Sequence, residues 1–249
     1  MSMDATPATH APAERRRRGA LTFLRDVVII VVIALVVSFA VKTFLVRSFY
    51  IPSASMENTL MEQDRILVDE LTPRFGGYER GDVVVFRDPG GWLGSSVTQQ
   101  GAANPLAAAT DWLLSLVGLS ASDSDDHLIK RIIGLPGDHV VCCNELGQLT
   151  VNGTAIDETS YLLLPEGGAA ASAVDFDITV PDGSLWVLGD NRYRSKDSRY
   201  NQEQPGKGFV PIDNVVGRAF VVTWPFDRFG FIDFHHSVFA GVPDPGADG

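Results

Sequence analysis

Two side chains in this 249-residue chain have the chemistry to break a bond if they meet: Ser55, in IPSASMENTL (51–60), and Lys130, in HLIKRIIG (127–134). A serine hydroxyl is a weak nucleophile until a base takes its proton, and the usual base is histidine. None of the five histidines is well placed by sequence. His10 precedes the apolar segment described below, His235 and His236 lie near the C-terminus, His127 borders an acidic loop, and His139 opens a strand after a turn. The sequence contains neither a GxSxG elbow nor an SxxK motif. A lysine can replace histidine when an apolar pocket draws its pKa down from ~10.4, because desolvation disfavours the ammonium form. Lys130 is flanked by Leu128, Ile129, Ile132 and Ile133, and strand alternation turns it and Arg131 to opposite faces. On these residues alone a second reading stays open, since a lysine in a short strand ordinarily snorkels to solvent.

The element that would place this chemistry precedes it. From Val27 to Val41 neither a charge nor a proline interrupts the apolar run. With Lys42 snorkelling it extends to Val46, about 20 residues or about 30 Å of helix, enough for a bilayer. Four arginines, Arg15 to Arg18, stand before it, so the positive-inside rule predicts a cytoplasmic N-terminus and an exported remainder. The expected organisation is a basic cytoplasmic tail (1–24, with 1–20 unstructured), a transmembrane anchor (25–47), an extracytoplasmic β-rich domain (48–235) and a C-terminal tail (236–249). A cleaved secretory signal is the rival, because Ser38-Phe39-Ala40 fits a small-x-small cleavage site; the apolar run, however, continues past Ala40.

Charge divides the chain in the same place. Residues 1–47 carry seven Lys+Arg against three Asp+Glu, and residues 48–249 carry thirteen against twenty-eight, a formal charge of −15. Such a surface repels phosphate backbones, so nucleic acid is not an expected partner. The only cysteines, Cys142 and Cys143, are adjacent; a strained disulfide, two thiols and an intermolecular link all remain open. They lack the spacing of a zinc site, and neither metal nor cofactor is expected. Turn-then-strand signals recur in ERGDVVVF, HLIKRII, Val140-Val141, QLTVNGTAI with its Asn152-Gly153 hairpin turn, PDGSLWVLGD and VVGRAFVVTWPF, which predicts an all-β domain. Residues 88–126 break that rhythm and read as an insertion with one short apolar helix around Trp112–Val117. That helix is expected either to dip into the lipid interface or to bury against the domain.

IPSASM, GDVVVF, KRIIGLPGD, GDNRYRSKDSR and GFVPIDNVVGRA, in this order behind one N-terminal apolar segment, resemble the boxes of bacterial type I signal peptidases, and the matches cover much of 48–226 outside the insertion. The resemblance implies an all-β signal-peptidase-like catalytic domain with one transmembrane helix, in the plasma membrane. The activity it implies is a Ser-Lys endopeptidase that removes signal peptides from exported preproteins. It assigns Ser55 as nucleophile, Lys130 as general base, Ser53 as an oxyanion-hole hydroxyl beside the Ser55 N–H, and Ser195 as the group that orients the lysine. Asp197 and Arg199 match a charged pair shaping the site. Phe49, Ile51, Pro52, Met56, Leu60, Leu128 and Ile129 match the lining of shallow pockets that accept small residues; all seven also read as plain core. Expected partners are signal peptides and the lipid bilayer.

The sequence departs from this pattern at Asn58, where the first box usually has proline, and at Tyr193-Arg194, where an acidic or amide pair is usual. Asn suits a turn, so the bend is expected to survive; Arg194 reads as a solvated loop residue. Two other classes remain: a Ser-Lys hydrolase of the self-cleaving repressor type, against which the apolar segment argues, and a non-catalytic anchored β-module, against which the joint presence of Ser55, Lys130 and Ser195 argues.

Overall fold

The computed structural model describes residues 13–44, 46–94, 126–167 and 170–245. They belong to two units, Met1–Thr43 and Phe44–Gly249. The first contains helix α1, Ala13–Phe44, whose 32 residues start inside the stretch expected to be unstructured. Side chains are described for residues 22–37, about 24 Å of helix, and all are exposed, including the eleven consecutive apolar residues from Val27 to Val37. Among the described residues no helix is long and apolar enough to cross a membrane. The C-terminal limit expected for the anchor also moves: Val46 and Arg47 are the start of a strand.

The second unit is β-rich, as expected. Its larger sheet has the order β1 (Val46–Tyr50), β2 (Arg65–Asp69), β11 (Val215–Trp224), β3 (Val83–Arg87), β4 (His127–Gly134), β9 (Ser184–Leu188) and β10 (Val210–Pro211), with β12 (Gly230–Phe231) paired to β11. A smaller sheet has the order β7 (Thr154–Ala155), β6 (Leu149–Val151), β5 (His139–Cys142) and β8 (Phe176–Thr179). The β6–β7 hairpin turns at Asn152 and Gly153, whose φ values of 50° and 76° are those the Asn-Gly pair favours in a two-residue hairpin. The turn-then-strand pattern marks β3, β4, β5, β6, β7, β9 and β11. It leaves out β1, counted partly as anchor, and the short β2, β8, β10 and β12. Cys142 and Cys143 are joined by a disulfide.

Three apolar clusters hold the sheets together. One packs Phe49, Met56, Leu60, Ile66 and Val85 beneath the chain that carries Ser55. A second lies between the two sheets around Trp186, Leu149 and Val140. The third joins Phe86, Trp92 and Val187. Trp92 is buried edge-on to Phe86, so the start of the expected insertion is anchored to the core by this one side chain. The apolar segment Trp112–Val117, with all of 95–125, lies outside the described residues.

The C-terminal segment, placed by sequence in a tail (236–249), is packed against the domain through Pro243. Phe239 and Val242 are buried in the second cluster. The Pro243 carbonyl accepts hydrogen bonds from Arg80 Nη2 (3.3 Å) and Asn152 Nδ2 (2.9 Å). These contacts come from two apolar side chains three positions apart and one backbone carbonyl, which strand signals do not mark.

Candidate active site

After β1 the chain turns through Ile51 and Pro52 into a single 3₁₀ turn, Ala54–Met56, with Ser55 at its centre. Met56 and Leu60 fix this turn from below. Both are fully buried, and each contributes about 1.5–3 kcal/mol by leaving water. The Ser55 carbonyl accepts the Asn191 N–H at 3.1 Å, which ties the turn to the chain after β9. Gly189 makes that approach close: a side chain there would occupy the space of the Ser55 carbonyl and the Ser195 hydroxyl.

Strand β4 brings Lys130 to this turn. Its Nζ lies 2.8 Å from Ser55 Oγ and 2.8 Å from the Ile129 carbonyl. Lys130 does not snorkel, being only 3% exposed. Desolvation lowers its pKa to about 8, against the opposing pull of Asp197 and Asp190. Neither carboxylate is in an ion pair with it; Asp197 is held by Arg199 and Asp190 by Arg131. A neutral Nζ has two N–H groups and one lone pair. With one N–H committed to the Ile129 carbonyl, the lone pair is free to accept the Ser55 proton, the geometry general-base catalysis requires.

Ser53 and Ser195 flank the pair differently. Ser53 Oγ stands 3.4 Å from Ser55 Oγ at the open side of the turn. Ser195 Oγ is buried and, among the described residues, has no hydrogen-bond partner, so no bond to Lys130 accompanies its position beside Gly189. Asp197 accepts from the Gly189 N–H (3.0 Å) and from Arg199 Nε and Nη2 (2.8 and 2.7 Å). Arg199 in turn donates to the Arg192 carbonyl at 2.8 Å. The two therefore brace the backbone that lies against Ser55.

The seven residues matched to substrate pockets separate into two groups. Phe49, Ile51, Pro52, Leu128 and Ile129 line one shallow depression with Tyr50, Val85 and His127. Met56 and Leu60 are core with no exposure, so they cannot touch a substrate. The His127 ring packs 5.2 Å from Phe49. His139, His235 and His236 are engaged with Asp177, Asp233 and Asp82. Arg194 is solvated, as expected, and reaches Glu57 at 3.2 Å.

Sequence reasoning missed a buried polar network behind the turn. Arg131 donates to both oxygens of Asp190 (2.9 and 2.8 Å) and to the Gly81 carbonyl (2.7 Å). Thr59 donates its hydroxyl to Asp190. The Arg131 guanidinium lies 4.2 Å from the centre of the Tyr161 ring, and the Tyr161 hydroxyl donates to Glu158 at 2.6 Å. Glu158 is clasped by Arg192, which also donates to the Gly189 carbonyl at 3.0 Å. Asp190, Arg192 and Arg131 stood inside the recognised boxes. No local spacing joins Arg131 to a carboxylate fifty-nine positions away, or Arg192 to one thirty-four away.

Residues 24–224 match the family described as signal peptidase, peptidase S26. The chain is 37% identical over 255 residues to a probable signal peptidase I of Mycobacterium leprae (strain TN), covering 92% of this chain and 85% of that one. It is 35% identical over 240 residues to the signal peptidase I of Mycobacterium tuberculosis (strain ATCC 25618 / H37Rv), covering 89% and 80%. A crystal structure of a signal peptidase I from Enterococcus faecalis V583 matches 57% of this chain and 95% of its own at 25% identity, with a TM-score of 0.34.

Proposed function

We propose, for a chain that belongs to the peptidase S26 signal peptidase family, that Ser55 is the nucleophile and Lys130 the general base of the hydrolysis by which it removes signal peptides from preproteins. The observation supporting these roles is the 2.8 Å contact between Lys130 Nζ and Ser55 Oγ in surroundings that lower the lysine pKa to about 8.

Neutral Lys130 accepts the Ser55 proton as Oγ bonds to the scissile carbonyl carbon. The resulting oxyanion is received by the Ser55 backbone N–H and the Ser53 hydroxyl, donors that stabilise the negative charge as it develops. As the C–N bond breaks, the lysine ammonium gives its proton to the departing amine, which becomes the new N-terminus of the mature protein. Lys130 then takes a proton from water as its oxygen bonds to the Ser55 ester carbon, and returns that proton to Ser55 Oγ as the acyl–oxygen bond breaks and the carboxylic acid leaves. Ser195 completes this arrangement: its buried, unpartnered hydroxyl is available to an N–H of Lys130 once the lysine turns in the working complex. Asp197 and Arg199 hold the backbone around it.

The signal peptide binds as an extended strand. Residues 128–130 of β4 are in register with β3, and the pairing to β9 covers 131–134. A peptide laid along residues 128–130 gains backbone hydrogen bonds beside Lys130, and the depression between Phe49, Ile51, Leu128 and Ile129 admits only small side chains. Turnover of a signal-peptide substrate should vanish in Ser55→Ala while the substrate still binds with near wild-type affinity. Cleavage by that variant would overturn the assignment.

Helix α1 is the membrane anchor in this reading, a single span with the N-terminus inside and the catalytic unit on the outer face. Its support is the run of eleven exposed apolar side chains from Val27 to Val37 behind Arg15–Arg18, a surface that water does not favour over such a length. Protease added to spheroplasts should digest the unit after Arg47 and spare residues 1–20. The reverse pattern would refute the topology.

A further inference from the structure

One residue beside the nucleophile behaves unlike the box it belongs to. Asn58 takes φ of +89° in the turn after Met56, where the Thr59 and Leu60 N–H groups both return to the Met56 carbonyl (3.1 and 2.7 Å). Left-handed φ is open to glycine and, more than to other side chains, to asparagine. Proline, locked near −65°, is excluded. The Asn58 side chain then makes a bond that neither glycine nor proline can make: Nδ2 donates to the Tyr161 carbonyl at 3.0 Å, across 103 positions of sequence.

Tyr161 belongs to a strap, residues 157–163, that is firmly held. Its ring lies under Arg131 and its hydroxyl on Glu158, which Arg192 clasps. The Leu163 N–H donates to the Asp190 carbonyl at 2.9 Å, and Leu163 bridges in parallel to Asn191. Asn191 is the residue whose N–H holds the Ser55 carbonyl. The contacts close a ring: from Ser55 to Asn191, from there to the strap at Leu163, along the strap to Tyr161, and back through Asn58 to the turn that carries Ser55. Cutting the ring at Asn191 or at the strap would disturb buried charges. Asn58 is exposed, so it is the one link that can be cut without opening the core.

We propose that Asn58 is a positioning residue for Ser55, tying the catalytic turn to the 157–163 strap through its side-chain hydrogen bond to the Tyr161 carbonyl. The proposal rests on Ser55 being the nucleophile. Its role is to hold the Ser55 hydroxyl and backbone N–H in register with Lys130, so it acts on turnover rather than on substrate binding.

The test uses the full chain purified in detergent and a synthetic signal peptide, with amide hydrogen exchange as a second readout. Asn58→Gly keeps the backbone conformation and loses only the bond. It should lower kcat about five-fold, leave KM within two-fold, and speed exchange at the Thr59 and Leu60 amides. Asn58→Pro cannot adopt the turn and should lower kcat about fifty-fold or more. A kcat reduced less than three-fold in Asn58→Gly, or wild-type turnover in Asn58→Pro, overturns the proposal. So does a melting temperature of Asn58→Gly that falls in proportion to its activity, which would mark a merely structural bond. Ser55→Ala, measured alongside, separates the two readings. If it still cleaves, the nucleophile assignment fails, while the exchange of Thr59 and Leu60 in Asn58→Gly continues to decide whether Asn58 holds the turn.

Discussion

The two faces of β4 carry adjacent cations to opposite ends. Lys130 and Arg131 are both buried, 3% and 0% exposed, on the same strand. On the front face, Lys130 meets a hydroxyl and a carbonyl and no paired carboxylate, and desolvation brings its pKa to about 8. On the rear face burial also pulls Arg131 down, but the two-pronged contact with Asp190 outweighs it and the pKa is raised. Burial therefore does not by itself make a base. Burial without a bonded anion does, and the same strand supplies both cases one residue apart.

The largest expected effect breaks the comparison on its front face. Lys130→Arg puts a guanidinium where an amine stood, with similar reach but no lone pair to give at any working pH. Turnover should fall by about 10⁴-fold, to the level of Lys130→Ala, with circular dichroism unchanged. Arginine turnover within ten-fold of wild type would remove Lys130 from the mechanism and return attention to the histidines.

On the rear face the same comparison predicts a loss of stability. Asp190→Asn leaves the Arg131 charge buried without its partner, and removing one member of such a pair costs about 3–5 kcal/mol. Denaturant unfolding should show that loss. A change below about 1 kcal/mol would mean that the Gly81 and Phe234 carbonyls, which accept from Arg131 Nη1 at 2.7 and 3.1 Å, and the Tyr161 ring suffice for the guanidinium.

The smallest effect sharpens the contrast through pH. Below about 8 the neutral fraction of Lys130 falls ten-fold per unit, so kcat/KM should rise with pH and level off above about 8. Stability carries the same signature with a definite sign. In the unfolded chain the lysine keeps its proton to about 10.5, and in the folded chain it gives it up near 8. Between those values the unfolded state binds more protons, so folding gains stability as pH rises. Lys130→Met, inactive, should be more stable than wild type at pH 7 by about 1–3 kcal/mol, and that lead should shrink between pH 8 and 10.5. A lead that does not change with pH would show that Lys130 is not held desolvated.

Much of the architecture was legible in the chain because it is local. Turn signals followed by β-branched runs mark most strands, strand geometry sets Lys130 and Arg131 on opposite faces, and the Asn152-Gly153 pair names its own hairpin, since backbone sterics act between neighbours. The chemistry of Ser55 and Lys130, the order of the boxes and the acidic balance after residue 47 were likewise fixed by residue identity. Tertiary structure alone decided whether Lys130 snorkels or is buried. It also decided that Met56 and Leu60 are core while Phe49 and Ile129 line a depression, that the chain stays packed through Pro243, and that Arg131, Arg192 and Asn58 find Asp190, Glu158 and the Tyr161 carbonyl. Those outcomes depend on which strands lie side by side, and partners tens of residues apart meet only after non-local pairing has closed the intervening loops. Solvent exposure, which separates a catalytic amine from an ordinary surface lysine, is a property of that closed assembly and of no segment within it.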